Sequence, residues 1–423
     1  MIAAVAIAIA AALAQAPAPR TPGAPGGAGG VRPPFLPNAG TVSIPQALAD
    51  RSLPKPYLPG ARQFLVQPGQ AWQYLVEDIA PGDEVVLAPG FHLAQTIVGL
   101  RGEPGRPVFI RSQGPVPAAV LCEGDGLVLR NPVHVVLENV LFIKPRAAAL
   151  TIEGADGSGN PVKVDVTVRN SAVQGAAAPG QDGILVRNAT DVRIDGVRID
   201  GWNDAAVEIQ SSRRVVVRGL MAVPDAPTPP AAGIVVGGAS SDVSITGCAL
   251  NGPVKAAIRV GDRPDGAPLG IPAERMRMDR CIVDGASTAV EFANVRDVVV
   301  SRMTIANPSG ALFAVADGCG TSFGIEIDRC LAAWQPGSLT HFLRRPPELR
   351  ESSVRFGLNL WFSKELPEAW SAIGTPYGVI TAAALTDVDP DLDPATLRPR
   401  NAAVGDFGAY GMAGAPEAVP TQP

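Results

Sequence analysis

The feature that most constrains this chain is a repeat. One template, apolar-x-apolar-x-x-apolar-x-apolar, starts at Val135, Val166, Val192, Val215, Val243, Met276, Val298 and Ile325, at spacings of 22 to 33 residues. After a variable loop, each of the first seven copies is followed by a second apolar run, such as ALTIEG, GILVRN, AVEIQS or AIRVGD. Alternation with a period of two marks strands with one buried face. Repeats of this length cannot bury that face alone; they bury it by stacking on their neighbours. The expected fold class is therefore all-β. It is a parallel β-helix solenoid of about eight or nine coils between Val108 and Trp334. Gly (46) and Pro (42) are abundant and charged residues make up only 18%, which suits short buried strands joined by turns and not a helical bundle.

Stacking turns equivalent positions into ladders, with neighbouring strands about 4.8 Å apart. The sixth template position carries Val140, Ser171, Val197, Leu220, Cys248, Cys281, Met303 and Cys330, an expected inward ladder. The fourth carries Glu138, Arg169, Asp195 and Arg218, then Thr246, Asp279, Ser301 and Asp328. The first four alternate in sign and can pair across coils. The fifth carries Asn139, Asn170, Gly196, Gly219 and Gly247, residues that tolerate the left-handed backbone of a tight bend. Arg280, Arg302 and Arg329 break that pattern, and their stems are expected to stack and to pair with Asp279 and Asp328. Cys248 and Cys281 are adjacent rungs. Their spacing permits a disulfide, but parallel side chains in a core favour free thiols. Five Cys at irregular spacing make no disulfide framework, and no Cys-x-x-Cys metal signature is present.

Residues 1–14 form a short apolar run ending in Ala12-Leu13-Ala14 and read as a signal peptide, although no basic residue precedes Arg20. Residues 15–60 read as a Pro/Gly-rich linker, 61–334 as the β-helix with its N-terminal cap, and 335–423 as a C-terminal cap and tail. The expected location is secreted, periplasmic or cell-surface. The apolar run is too short to span a bilayer, so no membrane span is expected. A net charge of -5 gives no basic footprint for nucleic acid. A monomer is expected.

These residues resemble the pectate-lyase-like superfamily of right-handed parallel β-helices, in particular its exported bacterial members. Trp72 to Ile79 is similar to the family's N-terminal helical cap. Pro81-Gly82-Asp83-Glu84-Val85-Val86-Leu87-Ala88-Pro89-Gly90 is similar to its first strand, and Arg101 to Ile110 to the Gly-rich loop and strand that follow. Gly405-Asp406-Phe407-Gly408-Ala409-Tyr410 resembles its terminal tag. The resemblance covers about Arg62 to Gly411 and implies a right-handed solenoid, a helical N-terminal cap and an irregular C-terminal cap. That cap carries Trp361, Phe362 and Trp370, with a last strand at Val354 to Phe362. Because one fold hosts many chemistries, the resemblance is specific for architecture and poor for activity.

In that superfamily the substrate groove follows the sheet built from the second apolar runs. The corresponding outward positions here are Thr151, Leu185, Glu208, Val235, Arg259 and Glu291, with Ala257 and Ala289 added as small outward residues. Asp182, Asp204 and Glu208 form an acidic cluster on adjacent coils, a candidate Ca²⁺ site or acid/base pair. Trp202 and Asn203 beside them could contact a sugar, the tryptophan by stacking. The ordinary reading is that these acids cap turn amides and that Trp202 plugs a loop. Lys255, Arg259 and Glu291 are candidate catalytic groups for a uronic-acid lyase, or else a surface salt bridge of little energy.

Departures from the enzymes of this fold carry weight. Asn203-Asp204 is only a fragment of the polygalacturonase-type set. No Gly-His-Gly or Asp-Pro-His-Asp occurs, and Lys255 and Arg259 share one coil where the alginate-lyase type uses two. His92, His134 and His341 are scattered and read as structural. Three functions stay open: carbohydrate binding, with acidic polysaccharide as partner; a polysaccharide lyase acting on uronic-acid polymers; and an adhesion-like structural solenoid. Aromatics at 5% weaken the first.

Overall fold

The structure is a computed structural model. It describes residues 53–410 except 125, 156–159, 176–180, 226–227, 262–270, 317–321, 348, 350–352, 364–383 and 386–387. The apolar N-terminal run and the linker as far as residue 52 lie outside the described residues, as do Cys319 and Trp370.

Three parallel sheets share the chain, each full coil giving one strand to each sheet and the end coils adding strands to the first and second only. The first has twelve strands, from Gln63–Val66 to Val354–Phe356; the second also has twelve, from Phe91–Leu93 to Ala384–Leu385; the third has ten, from Thr96–Val98 to His341–Arg344. The first half of the template supplies the first and second sheets around a bend, and the second half supplies the third. This is a right-handed parallel β-helix. The register agrees with the repeat: Val135 pairs with Val166, Val166 with Val192, Val192 with Val215, Val243 with Met276, Met276 with Val298, and Val298 with Ile325.

The ladders follow from that register. Every sixth-position residue is buried, and the buried Ser171 hydroxyl donates to Arg169 O and accepts from Val140 N–H. Asn359 continues this ladder one coil further. Its carboxamide bonds Cys330 N–H, Ile327 O and Gly357 O, so the polar rung is satisfied. Cys122, Cys248, Cys281 and Cys330 are buried free thiols. Burial pushes the Cys122 and Cys330 thiols up to about 12. On the surface, Arg169 pairs with Glu138 at 2.8 Å and Arg218 with Asp195; Arg302 clamps Asp279 at 2.9 Å through two nitrogens, and Arg329 approaches Asp328 at 3.6 Å.

The bend keeps one conformation in all eight template coils. Asn139 (φ 54°), Asn170 (48°), Gly196 (60°), Gly219 (62°) and Gly247 (61°) are left-handed, and so are Arg280 (53°), Arg302 (50°) and Arg329 (54°). The arginines therefore do not change the bend; they accept its strain, and Arg302 gains the Asp279 clamp.

Three boundaries differ from the sequence reading. The helical N-terminal cap is a single 3-10 turn, Gln73–Glu77. Pro68-Gly69 and Pro81-Gly82 leave too few residues between them to offset helix nucleation. Trp72, 2% exposed, plugs the core beside it, and Gln95 accepts from the Trp72 and Gln73 amides. Parallel pairing also starts earlier, at Gln63–Val66 with Glu84–Leu87, and runs past Trp334 through His341–Arg344, Val354–Phe356 and Asn359–Ser363. Trp361, Phe313, Phe342 and Phe356 close that end with edge-to-face contacts. Finally, residues 53–60, expected as linker, form a strap on the first sheet. Tyr57 N–H donates to Glu84 at 2.5 Å, Tyr57 Oη donates to Glu138 at 2.8 Å, and Arg111 donates to Lys55 O.

The terminal tag docks on the outer face of the second sheet. Gly408 N–H reaches Arg329 O, Ala409 N–H reaches Thr304 Oγ1, and Val404 and Phe407 pack on Leu331 and Leu360. Among the described residues no helix is long and apolar enough to cross a membrane.

Gly247 tests the bend. A Cβ built there meets nothing within 4 Å, so Gly247→Ala changes only backbone strain. We expect urea unfolding to show a loss of about 1 kcal/mol, with Gly247→Asn losing less.

Candidate functional site

The outer face of the third sheet carries one continuous row. In register it runs Thr151, Leu185, Glu208, Val235, Arg259, Glu291, Ala314, Arg344. The outward positions read from the sequence fall on this row. Ala257 and Ala289 do not: both are in the main core. At the sheet's corner Ala206 and Val207 also both face the core, so strict alternation fails there and shifts the parity by one.

The polar centre lies where two turns stack. Asn203 and Asp204 both donate their amides to Gln181 O, at 3.2 and 3.0 Å. This sets Asp204 beside Asp182. Gly183 makes the approach possible, since a Cβ there would lie 2.5 Å from Ala206 O. Asp182 Oδ1 accepts from Ala205 N–H at 3.1 Å, and the strand Ala205–Gln210 projects Glu208 into the same spot. A ligand oxygen from each of Asp182, Asp204 and Glu208 lies within 4.8 Å of the others. Asp182 and Glu208 are 7% and 3% exposed, while Asp204 is half-buried. Gln210 Nε2 donates to Glu208 Oε1 at 2.9 Å.

Three carboxylates so placed cannot all be charged without compensation. Burial, then the charge and hydrogen bond of Glu208, then the charge of Asp204 push the Asp182 carboxyl up to about 8. The cluster therefore holds a proton, or a cation in its place. The donor set is all oxygen, which suits Ca²⁺ over metals that prefer nitrogen or sulfur. Carboxylates that share a proton sit too close to flank a glycosidic bond from opposite sides.

The other expected residues divide. Trp202 does not face a ligand: it is 1% exposed, belongs to the core, and donates Nε1–H to Ala232 O at 2.6 Å. Its ring fills the space behind a turn whose outer side is polar, so it cannot stack on a sugar. Asn203 flanks the cluster through its backbone. Arg259 and Glu291 meet at 2.7 Å, with side chains 13% and 10% exposed, and so neutralise each other. Lys255 is exposed at the start of that strand, its backbone tied to Pro230 and Thr288. Two of the three histidines hold structure, while His341 is exposed and its ring meets the adjacent Thr340 hydroxyl. His92 is buried on Ala88 O at 2.7 Å, and His134 meets Asp165 at 2.5 Å.

Two residues of the face escaped the sequence reading. Gln210 shares parity with Glu208, a signal available in the pattern. Arg344, 3.9 Å from Glu291, lies beyond Trp334 where the template fades.

No protein-family model matches the sequence, and no curated protein matches it. Solved structures do match. The catalytic unit of a GH87 alpha-1,3-glucanase from Streptomyces thermodiastaticus strain HF3-3 is 15% identical, with a TM-score of 0.50 over 74% of this chain and 65% of that one. The pectate lyase Pel9A is 10% identical, with a TM-score of 0.45 over 78% of each chain. The A-module of the mannuronan C-5 epimerase AlgE4 from Azotobacter vinelandii is 11% identical, with a TM-score of 0.47 over 73% and 91%. The chain thus spans about two thirds of the glucanase unit, and the likeness is one of fold. The protein belongs to the class of right-handed parallel β-helix proteins.

The proton on Asp182 sets a pH dependence. Between its ordinary 3.8 and about 8 the folded state holds a proton that the unfolded state has released, so stability falls as pH rises through that window. Asp182→Asn keeps the acceptor for Ala205 and removes the penalty. In chelator, its melting temperature should match wild type near pH 4 and exceed it increasingly towards pH 8. Added Ca²⁺ should raise the wild-type melting temperature at high pH and leave the variant unmoved.

Proposed function

We propose that the protein is an exported binder of acidic polysaccharide, held along the outer face of the third sheet through Ca²⁺. The observation that carries this reading is the convergence of Asp182, Asp204 and Glu208, from adjacent coils, within 4.8 Å on that face. Asp182, Asp204 and Glu208 would hold the ion, and Gln210 orients Glu208. Bound Ca²⁺ supplies positive charge and open coordination positions for carboxylates of the polymer. Without it, the buried acids repel a polyanion. The row beyond the cluster is buried and apolar at Val235 and then internally neutral at Arg259 and Glu291, so the charge that a polyanion would meet on this face is that of the cluster, at the half-buried Asp204. The fold's likeness to an alpha-1,3-glucanase unit agrees with a carbohydrate partner. The N-terminal apolar run agrees with a location outside the cytoplasm.

The lyase reading gets less support. A lyase needs a cation to neutralise the uronate and a base for the C5 proton, and Arg259 is already neutralised by Glu291. Lys255 alone remains open to solvent as a candidate base.

Calorimetric titration with polygalacturonate and with alginate tests the proposal. Binding should appear in Ca²⁺, vanish in chelator, and weaken at least tenfold in Asp182→Asn/Glu208→Gln. Binding that persists in chelator and in the double variant overturns the Ca²⁺ bridge. The absence of binding to any uronate polymer leaves the structural solenoid. Ultraviolet absorbance from unsaturated uronates, lost in Lys255→Ala, would instead make the protein a lyase.

A further inference from the structure

A recess lies away from the third sheet, at the corner where the first sheet bends into the second. Its volume is about 470 Å³, within the usual size of a small-molecule site. Asn139 and Asn170 of the bend ladder lie against it, one coil apart. The turn at Gly114 and Pro115 lines a second side, and Tyr57 of the N-terminal strap a third. The Tyr57 ring is fixed: it packs on Phe109 with ring centres 4.8 Å apart, and the Arg111 guanidinium sits 4.3 Å from its centre.

The charges around this recess are already paired. Arg111 is bound to Glu84 at 2.6 Å and Glu138 to Arg169 at 2.8 Å. An anion finds no unpaired cation there, and a cation finds no unpaired carboxylate. The amides are only half used. Asn139 Nδ2 donates to Gly114 O at 2.9 Å and Asn170 Nδ2 to Glu138 Oε1 at 3.4 Å. Among the described residues no protein donor reaches the Oδ1 atom of either. Two neutral acceptors thus stand about one strand spacing apart, ~4.8 Å, beside an aromatic ring and a proline.

We propose that this recess binds a neutral sugar ring. Hydroxyls on one edge of a pyranose donate to Asn139 and Asn170, and its C–H faces lie against Tyr57 and Pro115. The site is separate from the carboxylate cluster and needs no metal. A neutral ring fits where a uronate does not, because the uronate carboxylate would lose water without gaining a cation.

Two kinds of variant test this without disturbing the fold. Asn139→Gly/Asn170→Gly places at those bends the residue that Gly196, Gly219 and Gly247 already supply, so the left-handed backbone is kept. Gly114→Phe fills the recess. Gly114 has no left-handed φ, and a Cβ there meets nothing within 4 Å. The probes are glucose, galactose, mannose and xylose, with galacturonate as the anionic control, read by saturation-transfer NMR and calorimetry on the whole protein in chelator. At least one neutral sugar should receive saturation from wild type and from Asp182→Asn. Its affinity should fall at least tenfold in both recess variants, with melting temperatures confirming their fold. Should the double variant melt early, the single Asn variants and Gly114→Phe carry the same comparison. No transfer to any neutral sugar, equal transfer in the filled variant, or transfer to galacturonate alone overturns the proposal. Because the reading is taken in chelator, its outcome is independent of the Ca²⁺ site.

Discussion

Main-chain pairing between successive coils is the constraint on which everything else depends. Each strand has its partner one coil before and one coil after, in parallel and in register across three sheets. Only the end strands therefore expose unpaired backbone groups, and no coil can bury its apolar face without its neighbours. The side chains obey the same rule. A residue's neighbours are set less by its own segment than by residues at the same template position one repeat away. The inward valines, leucines and thiols pack on their own equivalents, and the bend residues repeat a single backbone conformation whatever their side chain.

That stacking makes electrostatics additive along the molecule. A fourth-position row with alternating sign yields Glu138 to Arg169 and Asp195 to Arg218 pairs. Exposed pairs of this kind contribute little each; what they do is disfavour a slip by one coil, which would set like charges together. The same geometry run with like signs produces the acidic cluster. Asp182 and Asp204 come from equivalent turns, and Glu208 adds a third charge from the adjoining strand. What is a register device on the first sheet becomes a concentration of charge on the third.

Much of this was legible in the sequence because a period is visible without knowing any contact. The pairing of Val135 with Val166 and of Met276 with Val298, the inward ladder, the Arg302 to Asp279 clamp and the closeness of Asp182 to Asp204 all follow from aligning repeats. What was not legible lies where alternation breaks. Ala257 and Ala289 point inward because two consecutive residues face the core at the corner of the third sheet. Trp202 sits in a polar turn, and sequence alone does not say that its ring turns inward to fill the core. The coils after Trp334 keep their pairing while losing the template, since aromatic residues replace the regular aliphatic rungs. The 3-10 turn at Gln73–Glu77 carries an amphipathic pattern that five residues cannot turn into a helix. For the site, position along the row was readable, but charge compensation was not: the burial that neutralises Arg259 with Glu291 depends on packing.

The strap at residues 53–60 has a consequence for how such a molecule comes apart. A solenoid opens from its ends, where the terminal coil has one neighbour instead of two. Tyr57 reaches past that first coil to Glu84 and on to Glu138, two strands further along the first sheet, and Lys55 is gripped by Arg111 between them. Peeling the first strand therefore means releasing contacts to several coils at once. The tag at the other end likewise spans three successive strands, those of Thr304, Leu331 and Leu360 in the second sheet. The strap works as a latch against unzipping at one end and the tag as its counterpart at the other, so that a terminal strand cannot fray without breaking ties to coils well inside the solenoid.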